Sequence, residues 1–254
     1  KQKTAYEIRN CDWSSDVCSS DLELKGDHRL SYHAQDARAD VHVRNLRMNN
    51  GGYIYDVVVK QHIIKDISLR IGGLHNVENS LPAITMAHLM NIADDNIREV
   101  LHGFSGVKRR FEYWLAPGKG SCVLIDDYAH HPTELSACIR SVKELYPNKK
   151  IAGIFQPHLF SRTRDFADGF AESLALLDIP ILIPIYPARE LPIEGIDSQW
   201  LFDKIKKDEK YLVEKDAIFT LINKLQFDVL LTLGAGDIDT LVSPLEVYMK
   251  ERVK

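Results

Sequence analysis

Apolar runs and helical stripes alternate regularly along the second half of the chain, and this alternation restricts the possible folds most strongly. Strands separated by helical patterns of about 10–15 residues imply β-α-β units and a parallel sheet. The predicted strands are 123–125, 151–155, 181–185 and 228–233, and the predicted helices are 132–146, 163–177, 198–207, 216–225 and 238–250. Apolar residues at helical spacing are expected in the core, namely Leu135, Ile139, Val142, Phe166, Phe170 and Leu174. The second half is therefore predicted to be an α/β domain.

The first half has a different pattern. Alternating apolar residues from Ala39, a Gly51-Gly52 turn and apolar runs at 53–59 and 67–71 predict a small β-rich section. Helical spacing follows at 77–90 and 96–102, with Pro82 inside the first helix and with Asp94 and Asp95 placed to cap the second. A basic, glycine-containing turn at 104–110 predicts a domain boundary, which we place between residues 106 and 107.

The run DWSSDVCSSDL at residues 12–22 has neither helical nor strand periodicity. It resembles a translated sequencing adaptor, and we interpret residues 1–22 as a foreign segment. An acidic loop is the alternative. The first domain is accordingly expected to occupy residues 23–106, and the second residues 107–254.

Composition restricts the class of protein. A 45% hydrophobic and 27% charged sequence is typical of a globular protein, and no apolar run approaches the roughly 20 residues that span a bilayer. The net charge of -4 gives no basic surface for nucleic acid. The four cysteines have no metal-ligand spacing, so we expect a reducing, cytoplasmic location.

Polar residues follow three of the predicted strands, where open α/β sheets collect ligands. The first group is Asp126 to His131, whose carboxylates and imidazoles suit ribose, phosphate or a metal; a His-capped helix is the alternative. The second is His158 to Arg164, where two arginines near a helix start suit a carboxylate or phosphate. Arg164 could equally pair with Asp165 or Asp168. The third, Gly234 to Asp237, is favoured as a turn that uses glycine for geometry alone.

Two upstream motifs also carry candidates. Asn76 and Asn79 open a predicted helix, where an amide can bind an adenine edge, although a helix cap is the favoured local role of Asn76. Arg110 lies in the basic turn after the second helix and could neutralise a phosphate.

The ordered set of motifs closely resembles the Mur ligase family, in particular the branch that joins L-alanine to UDP-N-acetylmuramate. The motifs are GLHNVEN, GVKRRFE, IDDYAHHPTE, FQPHLFSRTRDFADGF, IYPAREL with PIEGI, and LGAGD, over about residues 30–250. The resemblance implies the end of a central ATPase domain followed by a Rossmann-like C-terminal domain. It also implies ATP and Mg²⁺ as cofactors, an acyl-phosphate intermediate, and no membrane insertion.

The resemblance also implies roles for individual residues. In the nucleotide site, Asn76 is expected to bind the adenine, with Asn79 close by. Arg110 is expected to bind a phosphate and Asp127 the ribose hydroxyls, and His130 is expected to lie beside the nucleotide. His130 and Arg110 are the catalytic candidates. The amino-acid pocket is expected to contain Tyr128, His158, Arg162 and Arg164, with an arginine on the alanine carboxylate.

The sequence departs from the family pattern at several places. It contains no G-x-x-x-x-G-K-[ST] motif, and the family's magnesium ligands are expected upstream of it, so this polypeptide is expected not to catalyse ligation alone. Pro82 is expected to kink its helix. Three alternatives remain open: a ligase that attaches a preformed peptide during cell-wall recycling, a non-catalytic binding module, and a phosphoesterase. The phosphoesterase would bind metals through Asp126, Asp127, His130, His131 and His158.

Overall fold

The computed structural model describes residues 6–10, 28–117 and 122–252. The chain divides into two compact units between Ser105 and Gly106. Of residues 1–22, interpreted above as foreign, residues 1–5 and 11–22 lie outside the described residues, and residues 6–10 form a strand. Among the described helices, none combines the length and apolar character needed to cross a membrane.

The first unit contains a five-stranded sheet in the order β1-β2-β3-β4-β5. Its strands are β1 (Tyr6–Asn10), β2 (His28–His33), β3 (Val41–Asn49), β4 (Gly52–Val59) and β5 (His62–Leu69). The first three strands pair in parallel, and β3, β4 and β5 form an antiparallel meander. The β-rich section expected from the apolar alternation is therefore present, although β5 begins five residues before the predicted run.

Two helices follow this sheet, α1 (Leu74–Leu89) and α2 (Asp94–Gly103). Pro82 lies inside α1, which continues through it as one helix. The capping prediction was wrong, because Ala93 is the N-cap of α2 and no side chain bonds the helix start. Asp94 instead accepts a hydrogen bond from His62 Nε2 at 3.0 Å, and Asp95 pairs with Arg98 at 2.5 Å. Both acids still lie in the first turn, where the helix dipole favours negative charge.

The second unit is an α/β fold around a six-stranded sheet in the order β10-β9-β8-β11-β7-β6. The strands are β6 (Glu112–Leu115), β7 (Val123–Asp127), β8 (Ile151–Phe155), β9 (Ile179–Leu182), β10 (Tyr211–Leu212) and β11 (Val229–Leu233). Only β6 runs antiparallel to its neighbour. The helices are α3 (Pro132–Leu145), α4 (Phe160–Asp165), α5 (Ala167–Leu174), α6 (Ser198–Lys204), α7 (Ile218–Ile222) and α8 (Val242–Arg252). Short 3-10 turns at Lys215–Ala217 and Asp237–Leu241 precede α7 and α8.

Separate apolar clusters cover the two faces of this sheet. Helices α3, α5 and α6 contribute to one cluster, and α7 and α8 contribute to the other. Five of the six predicted core residues are fully buried or nearly so, but Phe166 is 42% exposed. The prediction failed there because the helix expected at 163–177 breaks at Phe166 into α4 and α5, which turns the ring outward.

The position of β11 marks the edge of the sheet at which a ligand is expected. The chain leaves β7 and β8 toward the face of α3 and α5, whereas it leaves β11 toward the face of α8. Since β11 lies between β7 and β8, the connections diverge at its carboxyl end. Such a divergence opens a crevice beyond the strand ends, where doubly wound folds bind ligands.

Candidate functional site

Gln156 joins the carboxyl ends of β8 and β11. Its buried side chain donates from Nε2 to Asp237 Oδ1 at 2.7 Å and accepts at Oε1 from the backbone amide of Ile238 at 2.9 Å. Gly234 has a φ of 137°, and a Cβ there would lie 2.6 Å from the carbonyl oxygen of Gln156. The glycine turn therefore has the geometric role that the sequence favoured.

Arg109 is the most highly connected cation at this edge, and the sequence did not single it out. Its Nε donates to Asp126 Oδ2 at 3.0 Å, and one Nη donates to the carbonyl of Gly234 at 2.6 Å. The guanidinium carbon also lies 5.1 Å from the centre of the Tyr128 ring. Asp126 is 2% exposed, and its burial raises its pKa. Arg109 therefore ties the segment before β6 to the ends of β7 and β11.

Asp127, the ribose candidate, is held by the backbone. Oδ2 accepts from the amide of Phe111 and Oδ1 accepts from the amide of Ala129, each at 2.8 Å. Burial raises the pKa of Asp127 to about 6, although both amide donors oppose this shift. The thiol of fully buried Cys138 lies against it, and burial raises the pKa of that thiol well above its usual range. A ribose would have to share oxygens that already have donors.

The two adjacent histidines have different contacts. His131 is the N-cap of α3 and accepts at Nδ1 from Thr133, and Glu134 completes the capping box, so the alternative of a His-capped helix holds for His131. His130 Nδ1 lies 3.0 Å from the carbonyl of Tyr128. A carbonyl can only accept, so Nδ1 carries a proton and Nε2 of a neutral His130 keeps its lone pair.

Four rings form a row along the carboxyl edge, which we call the aromatic row: Tyr128, His130, His158 and Tyr186. Successive ring centres are 5.1, 6.5 and 5.7 Å apart. His158 Nδ1 is buried without a hydrogen-bond partner among the described residues. Burial lowers the pKa of His158, and the nearby Arg162 and His130 lower it further, so the ring is neutral near pH 7.

The two candidate arginines of α4 differ in their surroundings. Arg164 is exposed and pairs with Asp165 at 2.8 Å, which is one of the surface pairings considered from the sequence. The half-buried guanidinium of Arg162 makes no hydrogen bond with the residues that the structure describes. Of the two guanidinium groups, only that of Arg162 is therefore without a hydrogen-bond partner in the described part of the chain.

Glu190 fixes the start of α4 and was not a sequence candidate. Its carboxylate accepts from the amide of Ser161 at 3.0 Å and also from the Ser161 hydroxyl. These hydrogen bonds lower the pKa of Glu190. Glu190 thus attaches the first turn of α4, which contains Arg162, to the loop after β9.

The remaining candidates lie on turns and helix starts. In the first unit, Asn76 is half-buried on α1 and donates from Nδ2 to the carbonyl of Gly72 at 2.7 Å, whereas Asn79 is exposed. Gly73 is the N-cap, so the favoured capping role of Asn76 was wrong. In the second unit, Arg110 is exposed, and its guanidinium has no partner in the described part of the chain.

Comparisons with known proteins match this arrangement. The family model described as "Mur ligase, glutamate ligase domain" matches residues 109–236. The UDP-N-acetylmuramate--L-alanine ligase of Flavobacterium psychrophilum is 47% identical over 208 residues, which cover 82% of this chain and 46% of that relative. The chain spans about half the length of the curated relatives it matches.

Solved structures agree on the fold. UDP-N-acetylmuramate-alanine ligase MurC from Thermotoga maritima superposes with a TM-score of 0.71 and 26% identity, covering 90% of this chain and 49% of that one. A murein peptide ligase from Psychrobacter arcticus has a TM-score of 0.58 and 18% identity, covering 97% and 51%, and this likeness concerns the fold alone. Together with the family model, which covers half of the residues, these matches identify the chain as a member of the Mur ligase family.

Proposed function

We propose that the chain forms the amino-acid-binding and part of the nucleotide-binding region of an ATP-dependent ligase that joins L-alanine to UDP-N-acetylmuramate. The observation that carries this proposal is the Arg162 guanidinium, which has no hydrogen-bond partner among the described residues and lies near neutral His158. The name and 47% identity of the Flavobacterium psychrophilum relative support the choice of reaction.

The aromatic row and Arg162 suit an amino acid. A guanidinium can hold the α-carboxylate through two parallel hydrogen bonds, which fixes the position of the amine. The amine loses protons as the amide bond forms, so a nearby neutral imidazole is needed as an acceptor. His130 offers Nε2 for this role, and its Nδ1 bond to the carbonyl of Tyr128 holds the ring in place. His158 and Tyr128 complete the proposed pocket.

The residues proposed to bind ATP differ in how many of their donor and acceptor atoms are still available. The Arg110 guanidinium has no partner among the residues that the structure describes and can bind a phosphate oxygen. Asn76 uses Nδ2 within its own helix start, which leaves Oδ1 to accept from an adenine amine. Asn79 is exposed close by, and Asp127 can share an oxygen with a ribose hydroxyl. ATP, with Mg²⁺ held by residues outside this sequence, would supply the phosphoryl group that activates the muramyl carboxylate.

The contacts disfavour the phosphoesterase alternative. Asp126 is committed to Arg109, both oxygens of Asp127 accept backbone amides, and His131 caps α3. Among the described residues, the five side chains proposed for the phosphoesterase metals do not form a cluster of converging ligand atoms: Asp126, Asp127, His130, His131 and His158. A ligase for a preformed peptide shares the nucleotide contacts and would differ at the acceptor pocket, so acceptor choice separates the two ligases.

A chimera tests the proposal, in which residues 23–254 of this chain replace the matching half of the Flavobacterium psychrophilum relative. With ATP and UDP-N-acetylmuramate present, we expect phosphate release that depends on L-alanine. Arg162→Ala should raise the KM for alanine roughly 10-fold to 100-fold, because a charge-assisted hydrogen bond contributes about 1.5–3 kcal/mol. The KM for ATP should change little.

Arg164→Ala is the matched control, since it removes an arginine two residues away that is paired with Asp165. Its KM for alanine should stay near that of the unmodified chimera. Equal effects of the two substitutions, or equal effects of Arg162→Ala on alanine and ATP, would contradict the pocket. Phosphate release that requires a preformed peptide would favour the recycling ligase instead.

A further inference from the structure

A second group of ligand-type side chains lies in the first unit and includes none of the residues proposed for the ligase site. His62 begins β5, His88 is in the last turn of α1, and Asp94 begins α2. One potential ligand atom from each residue lies within 4.8 Å of the others. No other such triad of His, Cys, Asp or Glu occurs among the described residues.

Ordinary surface pairing accounts for only two of the three residues. His62 Nε2 donates to the carboxylate of Asp94 at 3.0 Å, which is a common exposed ion pair. His88 stacks on the His62 ring with centres 4.4 Å apart, and its nitrogens make no hydrogen bond to the residues that the structure describes. An imidazole with free nitrogens beside a His-Asp pair is available as a further ligand.

We propose that His62, His88 and Asp94 bind one late first-row divalent cation, with Zn²⁺ as the reference ion. Neutral imidazole nitrogens and a carboxylate oxygen are the ligand set that such ions prefer, and three protein ligands leave room for water. Mg²⁺, which prefers all-oxygen coordination, is a poor match. This site does not depend on the ligase activity proposed above.

The observed spacing permits coordination after a small local movement. Ligand atoms around tetrahedral zinc at about 2.0–2.2 Å are about 3.4 Å apart. His62 Nε2 and the Asp94 carboxylate oxygen are 3.0 Å apart, which is close to that distance. The longest distance between two ligand atoms of the group, which is at most 4.8 Å, must shorten on metal binding. The two rings, now within 15° of parallel, must tilt apart because the lone pair of each nitrogen lies in the plane of its ring. Metal binding therefore breaks the ring stack.

The test compares zinc binding by the full 254-residue chain and its variants. Competition with a chromophoric chelator counts the bound equivalents, and background binding by other histidines and cysteines is common to all proteins. His88→Ala and Asp94→Asn should each lose one equivalent, or weaken it by at least about tenfold. His102→Ala, which removes an exposed histidine of α2, should retain it.

Two further measurements separate the site from a folding effect. Zinc should raise the melting temperature of the wild type and of His102→Ala but not of Asp94→Asn, whose side chain is nearly isosteric. Histidine ring NMR signals from His62 and His88 should shift with zinc and stay unchanged with Mg²⁺. Equal zinc binding by the wild type and both ligand variants, or equal losses in all three variants, would overturn the proposal.

Discussion

Arg109 illustrates how one side chain supports the geometry of its neighbours. Its side chain is 14% exposed and is the cationic partner of the nearly inaccessible carboxylate of Asp126. Its backbone carbonyl also accepts from the amide of Tyr128 at 2.7 Å. Removal of this cation leaves the buried carboxylate with the Thr232 hydroxyl as its remaining side-chain donor and no opposite charge, which costs more than the intact pair contributes.

Arg109→Ala should therefore lower the free energy of unfolding by about 3–5 kcal/mol. Urea unfolding followed by tryptophan fluorescence measures this change, since Trp114 and Trp200 lie in the second unit. Arg164→Ala, which breaks an exposed pair, should cost less than about 1 kcal/mol. Similar costs for the two substitutions would mean that the Asp126 contact contributes little.

Asp127 is expected to titrate far above a free aspartate. Its pKa is raised from 3.8 to about 6 because burial disfavours the charged carboxylate. The folded chain thus holds this proton more tightly than the unfolded chain, so the contribution of Asp127 to stability increases as the pH falls through about 6 toward 3.8. Carboxyl-carbon NMR should show a midpoint near 6 that is absent in Asp127→Asn; a midpoint near 4 would contradict the burial effect.

Some site residues could be recognised from the sequence because they lie at or shortly after the ends of strands. Asp127, His130 and His158 are of this kind, and strand-end polarity is visible in a single sequence. Arg109 could not be distinguished from Arg110 in this way, because its partners Asp126 and Gly234 are 17 and 125 residues away. Glu190 was missed for the same reason, since only the fold brings it to Ser161.

At the level of elements, α1 accommodates a proline in its interior. Pro82 has no amide hydrogen to donate to the carbonyl four residues earlier, and proline inside a helix costs about 3 kcal/mol relative to alanine. The helix nevertheless runs unbroken from Leu74 to Leu89, with its buried face against the sheet. Packing of that face offsets the lost hydrogen bond.

Pro82→Ala should consequently raise the melting temperature of the first unit, by an amount equivalent to about 1–3 kcal/mol. Circular dichroism at helical wavelengths measures the change. Ala83→Gly, at the exposed neighbouring position, should act in the opposite direction by about 1 kcal/mol. A loss of stability in Pro82→Ala would mean that the proline ring packs better than a methyl group.

Long periodic elements were predicted well, and short ones were not. The strand at 151–155 and the helix from Pro132 matched because their apolar patterns are continuous. β10 has two residues and β6 has four, which is too few to show periodicity. The break at Phe166 was missed because the apolar stripe of Phe166, Phe170 and Leu174 keeps its helical spacing across it.

For the molecule as a whole, the proposed reaction predicts a difference between this polypeptide and the chimera. The 254-residue chain alone should release no alanine-dependent phosphate, because its sequence has no P-loop to hold the ATP phosphates. The chimera should release phosphate under identical conditions. Phosphate release by the chain alone would show that these residues suffice for phosphoryl transfer, and would require a different account of the site.

The arrangement of strands in the second unit also bears on how the protein behaves when concentrated. The two edge strands of its sheet are the antiparallel β6 and the two-residue β10. Each edge therefore exposes few unpaired backbone amides and carbonyls. A longer exposed edge strand acts as a template on which another chain can add a strand and begin to aggregate. The short outer strands β6 and β10 cover β7 and β9, and so keep the inner strands of the sheet from pairing with another chain.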